Sequence, residues 1–212
     1  KVETGSEPEW VAAKDLPGRQ WCALSQVEQT TCKPDSRLFD ERTAMYVAGM
    51  YLGDGWLRCW EGGKKRAVML GLNEAKYQKL LAVIGQAGHS ISRERTVIKV
   101  CFGDTAFANW LDANFGRHSH LKTLPAWVMG HPHRDALLQG YMDTDGCVDG
   151  SKVTINSTSK SLAHGVCDLL NIQGWSTSIA KVETAETCVI EGRTVNQRDY
   201  FQVRANHLSI SR

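Results

Sequence analysis

A nine-residue pattern occurs twice in this chain of 212 residues. Residues 47–55 read Val-Ala-Gly-Met-Tyr-Leu-Gly-Asp-Gly, and residues 138–146 read Leu-Gln-Gly-Tyr-Met-Asp-Thr-Asp-Gly, 91 positions later. Each copy has the apolar spacing of a buried helix and stops at Asp-Gly. Gly49 and Gly53 lie four apart in the first copy, as Gly140 and Thr144 do in the second. Glycine inside a helix costs roughly 1 kcal/mol against alanine, so small residues at matching places imply a packing role. One turn apart, they let two helix backbones approach closely.

The repeat extends downstream. Asp40 is placed to cap a helix that carries Glu41 in its first turn. Strands are predicted at 56–60 and 67–72, with a turn at 61–65 between them. A helix at 74–85, strands at 90–93 and 96–102, and a helix at 104–114 follow. In the second copy, 153–156 answers 68–71, the helix at 161–173 answers 74–85, and 200–204 is the last strand. Each half reads helix–strand–strand–helix–strand–strand–helix. Neither half alone is large enough for a robust core, whereas two halves face to face share one. The expectation is an α+β fold of two pseudo-twofold-related αββαββα repeats, at 40–130 and 131–212, behind an irregular arm at 1–39.

Parallel pairing of the two helices brings the carboxylates of Asp54 and Asp145 side by side, just past the last turn. There Gly55 and Gly146 are expected to take positive φ. Adjacent carboxylates repel, and a divalent cation removes the repulsion. Carboxylate and backbone oxygens suit Mg²⁺, which keeps waters and binds phosphate oxygens. The candidate metal set is Asp54, Asp145, Gly53 and Thr144. Such a centre suits phosphodiester hydrolysis, with one metal-activated water and one stabilised leaving oxygen. The competing reading of each Asp-Gly is an ordinary helix-ending turn, and its double occurrence in matching motifs argues against that.

Charge adds a partner. The net charge is only +2, but it is unevenly spread. Residues 55–100 hold nine basic side chains against three acidic ones, while 1–45 hold six against eight. Basic strands and hairpin tips neutralise phosphates, and arginine takes guanine bidentately. The candidates are Arg58, Lys64, Lys65, Arg66, Arg93, Arg95 and Lys99 in the first repeat, and Lys152, Lys181, Arg198 and Arg204 in the second. Arg93, Arg95 and Lys99 share parity, so regular pairing would place them on one face. The competing reading of each is a solvated strand face. Seven scattered cysteines fit reduced thiols better than a disulfide framework, with Cys22–Cys32 as the one pair considered. His118/His120 and His131/His133 have spacing poorly matched to structural zinc. No apolar run approaches a bilayer span, and the N-terminus lacks a secretory pattern. An intracellular, cytoplasmic or nucleoid location is expected, with no membrane partner.

The paired motifs 47–55 and 138–146 resemble those of the LAGLIDADG homing endonucleases in their single-chain, two-motif form, over about residues 40–205. The stretch Leu-Lys-Thr-Leu-Pro at 121–125, ahead of the second motif, is similar to one found in inteins. Residues 10–16 resemble an intein segment bordering an inserted endonuclease. The chain has neither a Cys or Ser start nor a His-Asn end, so it is not expected to splice by itself. The resemblance implies a monomer whose two antiparallel sheets form a saddle on double-stranded DNA, with the motif helices at the interface. It implies a Mg²⁺-dependent double-strand break with 3′ overhangs at a long target site. Mn²⁺ is expected to substitute, and Ca²⁺ to bind without efficient cleavage. Asp54 and Asp145 become the catalytic acids, and Lys122 an active-site lysine whose matching place in the second repeat would fall at or beyond residue 212, so that a second such lysine is left open. Asn156 becomes a polar strand residue whose counterpart is Gly71. The open alternatives are a solvated lysine at 122, an exposed strand residue at 156, and, for the whole chain, a non-cleaving DNA-binding regulator or RNA maturase of the same type.

Overall fold

The structure, a computed structural model, describes residue 29 and residues 32–185, 187–190 and 193–207. Most of the 1–39 arm, including 10–16 and Cys22, lies outside the described residues.

Asp40 caps the first helix, α1 (Glu41–Asp54), its carboxylate accepting from the Thr43 backbone N–H. The chain turns directly into β1 (Gly55–Trp60) and, through a short 3-10 turn at Glu61–Gly63, into β2 (Lys65–Leu72). Asn73 caps α2 (Glu74–Ile84). A hairpin of β3 (Ser90–Glu94) and β4 (Val97–Phe102) follows, and then α3 (Thr105–Phe115), capped by Asp104. Two 3-10 turns lead to α4 (Arg134–Asp145). The second half runs β5 (Gly146–Asp149), β6 (Lys152–Ser157), α5 (Lys160–Ile172), β7 (Trp175–Val182), a small hairpin β8–β9 (Thr187–Ile190, Arg193–Asn196), and β10 (Tyr200–His207). This departs from a strict repeat. The β8–β9 hairpin is inserted between the last two sheet strands, and no closing helix follows β10 among the described residues.

The two halves build four-stranded antiparallel sheets of equivalent order, β1-β2-β4-β3 and β5-β6-β10-β7. Alternation gives each sheet two faces. Leu57, Val68, Leu70, Leu72, Ile98, Val100 and Phe102 point toward the helices and are buried, as do Val153, Ile155, Val203 and Ala205 in the second sheet. Both sets join one hydrophobic cluster with α1 and α4 at its centre. The opposite, open face of each sheet carries no helix among the described residues. Among the described residues, no helix is long and apolar enough to cross a membrane.

The axis of the molecule is the α1–α4 contact. A methyl on Gly49 would lie 2.0 Å from the Leu137 carbonyl oxygen and 2.8 Å from the Tyr141 nitrogen. A methyl on Gly140 would lie 2.0 Å from the Tyr46 oxygen and 3.0 Å from the Met50 nitrogen. The two sets of contacts interchange under the 91-residue offset, so the helices pair in parallel about a local twofold axis. The flanks are tied by charge. Arg42 pairs with Asp135 at 2.7 Å, and Asp143 of α4 accepts from Tyr46 at 2.9 Å and from Lys79 of α2 at 2.7 Å.

Candidate functional site

Both helices end on their aspartates. This corrects the expectation that Asp54 and Asp145 lie past the last turn before a glycine at positive φ. Gly55 (φ −105°, ψ 154°) and Gly146 (φ −83°, ψ 139°) are extended and begin the strands. Crowding explains the two glycines. A Cβ on Gly55 would lie 2.5 Å from the Tyr51 Cα, and one on Gly146 2.6 Å from the Met142 oxygen. The chain therefore passes from helix to strand without a loop, which fixes each carboxylate between the helix end and the sheet.

The acids meet at the same end of the helix pair. A methyl on Gly53 would lie 2.1 Å from Thr144 Oγ1 and 3.2 Å from Asp145 Cγ, so the Asp145 carboxyl lies over the end of α1. Burial raises the Asp145 pKa, the charge of Asp54 raises it further, and Lys76 and Lys122 offset part of this, leaving it at about 6. Asp54 is a quarter exposed and holds a Lys76 Nζ at 2.5 Å. Lys76 stands in the first turn of α2 and its backbone N–H donates to the Asn73 cap. In the sequence it is one of nine basic side chains between residues 55 and 100. The signal that locates it is the Asn73 cap, which sets where α2 starts and so which side chain reaches back to the end of α1.

Lys122 is 1% exposed, which overturns the reading of it as a solvated lysine. Its Nζ donates to the carbonyls of Tyr51, Leu52 (3.2 Å) and Gly55 (2.9 Å), and lies 4.4 Å from the centre of the Tyr51 ring. The last carbonyls of a helix lack intrahelical donors, and Lys122 supplies a cation to that of Leu52 and a second donor to that of Tyr51, which also accepts from the Gly55 N–H. Burial pushes its pKa down to about 8, against the opposing pull of Asp145 and Asp54. Ser159 holds the Lys122 backbone carbonyl at 2.6 Å.

The donors at this centre are two carboxylates and helix-terminal carbonyl oxygens, a hard all-oxygen set that fits Mg²⁺, Mn²⁺ or Ca²⁺ better than zinc. A bound cation would relieve the burden carried by Asp145. Only the backbone oxygen of Thr144 is suited to this, because its hydroxyl donates to the carbonyls of Tyr141 (2.9 Å) and Gly140 (3.3 Å). Among the described residues no group of three or more His, Cys, Asp or Glu gathers. A cation here would therefore complete its shell with water or phosphate oxygens, and His131 is paired with the Glu41 carboxylate at 3.2 Å.

Register decides which basic residues reach the open faces. Arg58 pairs with Ala67, Lys65 with Trp60, and Lys99 with Ser92 and Gly71, all on the open face of the first sheet. Lys64 sits at the adjoining hairpin tip. Arg66 pairs with Cys59 on the opposite face and bonds Asp112 of α3 at 2.9 Å. Arg93 pairs with buried Ile98, also toward the helices, and bonds Glu74 of α2 at 2.7 Å. The shared-face expectation for Arg93, Arg95 and Lys99 thus fails. The β3–β4 turn contains two residues, Arg95 and Thr96, so odd positions of β3 align with even positions of β4. Arg95 itself is in that turn at φ 52°. In the second sheet Lys152, Asn156 and Arg204 lie on the open face. Lys181 has the register of Phe201, on the helix side, and bonds Asp199 at 2.8 Å. Arg198 is exposed in the loop before β10.

Residues 133–208 match the family described as LAGLIDADG-like domain. This part of the chain is similar to that domain. No curated protein matches the chain. Among solved structures, a study of mesophilic variants of the homing endonuclease I-DmoI gives a TM-score of 0.51 at 15% identity, covering 79% of this chain and 89% of that one. I-DmoI in complex with DNA and Ca gives 0.51 at 15% identity, covering 79% and 83%. I-DmoI with DNA and Mn gives 0.50 at 16% identity, covering 79% and 90%. At such identities the likeness is one of fold. Residues 133–208 and the half before them therefore share the two-sheet α+β fold of I-DmoI.

Proposed function

We propose that this protein is a site-specific DNA endonuclease that cuts both strands at a long target site in a Mg²⁺-dependent reaction, leaving 3′ overhangs. The observation that carries the reading is the pair of half-buried carboxylates, Asp54 and Asp145, at the joined ends of two parallel helices, with basic side chains on the adjoining open faces. Mg²⁺ would be held by these carboxylates and the backbone oxygens of Gly53 and Thr144, where it supplies an activated water and charge neutralisation at the leaving oxygen. Mn²⁺ would replace it, and Ca²⁺ would support binding without efficient cleavage.

The residues of the chain have separable parts in this scheme. Arg58, Lys65, Lys99, Lys152 and Arg204 hold the phosphates and base edges of double-stranded DNA across the open faces, so the acids approach the backbone between the two halves. Lys76 holds the Asp54 carboxylate in place at 2.5 Å. Lys122 pins the end of α1 and sets a buried positive charge beside both acids, where negative charge develops on the phosphate. The protein acts as a monomer because one chain supplies both halves of the site. An intein origin is supported by the 121–125 stretch, and the sequence flanking this segment in its parent chain tests it.

The test uses duplexes enriched from a random-sequence pool by binding to the protein in Ca²⁺, then transferred to Mg²⁺. Double-strand cutting at one position supports the nuclease. A persistent gel shift without cutting contradicts it and supports the non-cleaving binder.

A further inference from the structure

The open faces of the two sheets carry different chemistry at equivalent rows. In the row nearest the acids, the second sheet presents Asn156 and Gln202, paired across the strands, with Gln202 Nε2 donating to Asn156 Oδ1 at 3.2 Å. In the next row Arg204 donates from Nε to Gln202 Oε1 at 2.7 Å. The result is a continuous chain Arg204–Gln202–Asn156 with oriented donors and acceptors, and both of its end residues are exposed.

The first sheet has Gly71 at the place of Asn156. A Cβ on Gly71 would lie 3.3 Å from the Trp56 ring, so the absent side chain lets the Trp56 indole lie across that row. Trp56 remains 37% exposed, a large hydrophobic surface beside the acids. Farther out, the Arg58 guanidinium stacks on Trp60 at 4.8 Å from the ring centre. This sheet thus offers an aromatic plate flanked by Lys99, opposite Gly71 in the same row, and by Arg58 farther out, where the other offers a hydrogen-bonded polar chain.

Base edges in the major groove are told apart either by hydrogen bonds or by apolar contact with the thymine methyl. Resting on the DNA-binding reading above, we propose that the two half-sites are read by different means. The Arg204–Gln202–Asn156 chain reads purine edges by hydrogen bonding, with guanine facing Arg204. The Trp56 indole, laid over Gly71, reads thymine methyl groups in the other half, next to the cut. The first half-site is consequently rich in A·T pairs near the centre, and the second has a fixed guanine.

The experiment selects duplexes from a random-sequence pool with the wild-type protein in Ca²⁺. It then replaces thymine by deoxyuridine, or guanine by 7-deazaguanine, in one half at a time. Deoxyuridine is expected to weaken binding roughly fourfold per methyl contacted, in one half only. 7-Deazaguanine is expected to weaken it roughly tenfold, in the other half only. Trp56→Ala removes the first effect and Arg204→Ala the second. Gly71→Asn keeps the tryptophan but pushes the indole off the row, so it removes the deoxyuridine effect while leaving the 7-deazaguanine effect. Equal responses of both halves, or a deoxyuridine effect that survives in Trp56→Ala and Gly71→Asn, overturn the proposal while leaving DNA binding standing. Failure to enrich any duplex overturns the DNA-binding reading itself, and this proposal with it.

Discussion

Asp54 and Asp145 stand at equivalent ends of equivalent helices, yet their surroundings differ. Asp54 has a close cation in Lys76, and Lys122 is bonded to the carbonyls of its own helix end. Asp145 receives only the longer pull of those two lysines and is pushed up to about 6. The twofold axis runs through the glycine contacts and is lost at the side chains that surround the acids. A repeat can thus preserve packing, where backbone approach tolerates nothing larger than hydrogen, while the chemistry around each acid diverges.

The largest expected effect tests the symmetric part. Gly49→Ala and Gly140→Ala each place a methyl 2.0 Å from a backbone oxygen, which no rotamer change relieves. Each should lower stability by roughly 3 kcal/mol or more by chemical denaturation, and by similar amounts, because their contacts interchange. A mild loss in one and a severe loss in the other would break the symmetry.

Next comes the asymmetric part. Lys76→Met removes the bonded partner of Asp54, whereas Asp145 loses only a longer-range attraction. It should slow cutting of one strand roughly tenfold with the other little changed, as read on duplexes labelled on each strand in turn. Equal slowing of both strands would mean that the two pockets act as one.

The Asp145 carboxyl gives a pH signature. Its folded pKa is raised above the unfolded value, so the folded state binds more protons between about 4 and 6. Stability of the metal-free protein from this group is therefore greatest at acid pH and falls as pH rises through about 6. Asp145→Asn should abolish that fall and raise stability at neutral pH, on the order of 1 kcal/mol, while Asp54→Asn, which removes one of the charges that raise Asp145 but leaves Lys76 without its partner, should flatten it only in part and not raise stability. Thermal melts across pH in a chelator check this.

The smallest effects separate the two faces of the first sheet. Arg58→Ala on the open face should weaken DNA binding and reduce the salt slope by about 1. Arg66→Ala and Arg93→Ala, turned toward Asp112 and Glu74, should leave binding nearly unchanged. Equal losses among the three would contradict the assigned register.

Much of this was legible in the sequence. The doubled motif and its small residues located the helix pair, and apolar alternation located the strands. Two kinds of feature were not legible. Which face Arg66, Arg93 and Lys181 occupy depends on register, and a two-residue turn between β3 and β4 inverts the parity that a linear count supplies. The roles of Lys76 and Lys122 depend on contacts 22 and 67 or more residues distant, made only when α2 and the 121–125 stretch close over the end of α1. The extended Gly55 and Gly146 likewise answer to crowding by the preceding helical turn, which composition does not announce.

The most direct measurement compares Asp54→Asn, Asp145→Asn and wild type on one enriched duplex, scoring gel shift in Ca²⁺ and cutting of each strand in Mg²⁺. Unchanged gel shifts, with cutting by the wild type alone, are the predicted result. Full double-strand cutting by either asparagine variant would contradict the assignment of these two carboxylates as the metal-binding acids.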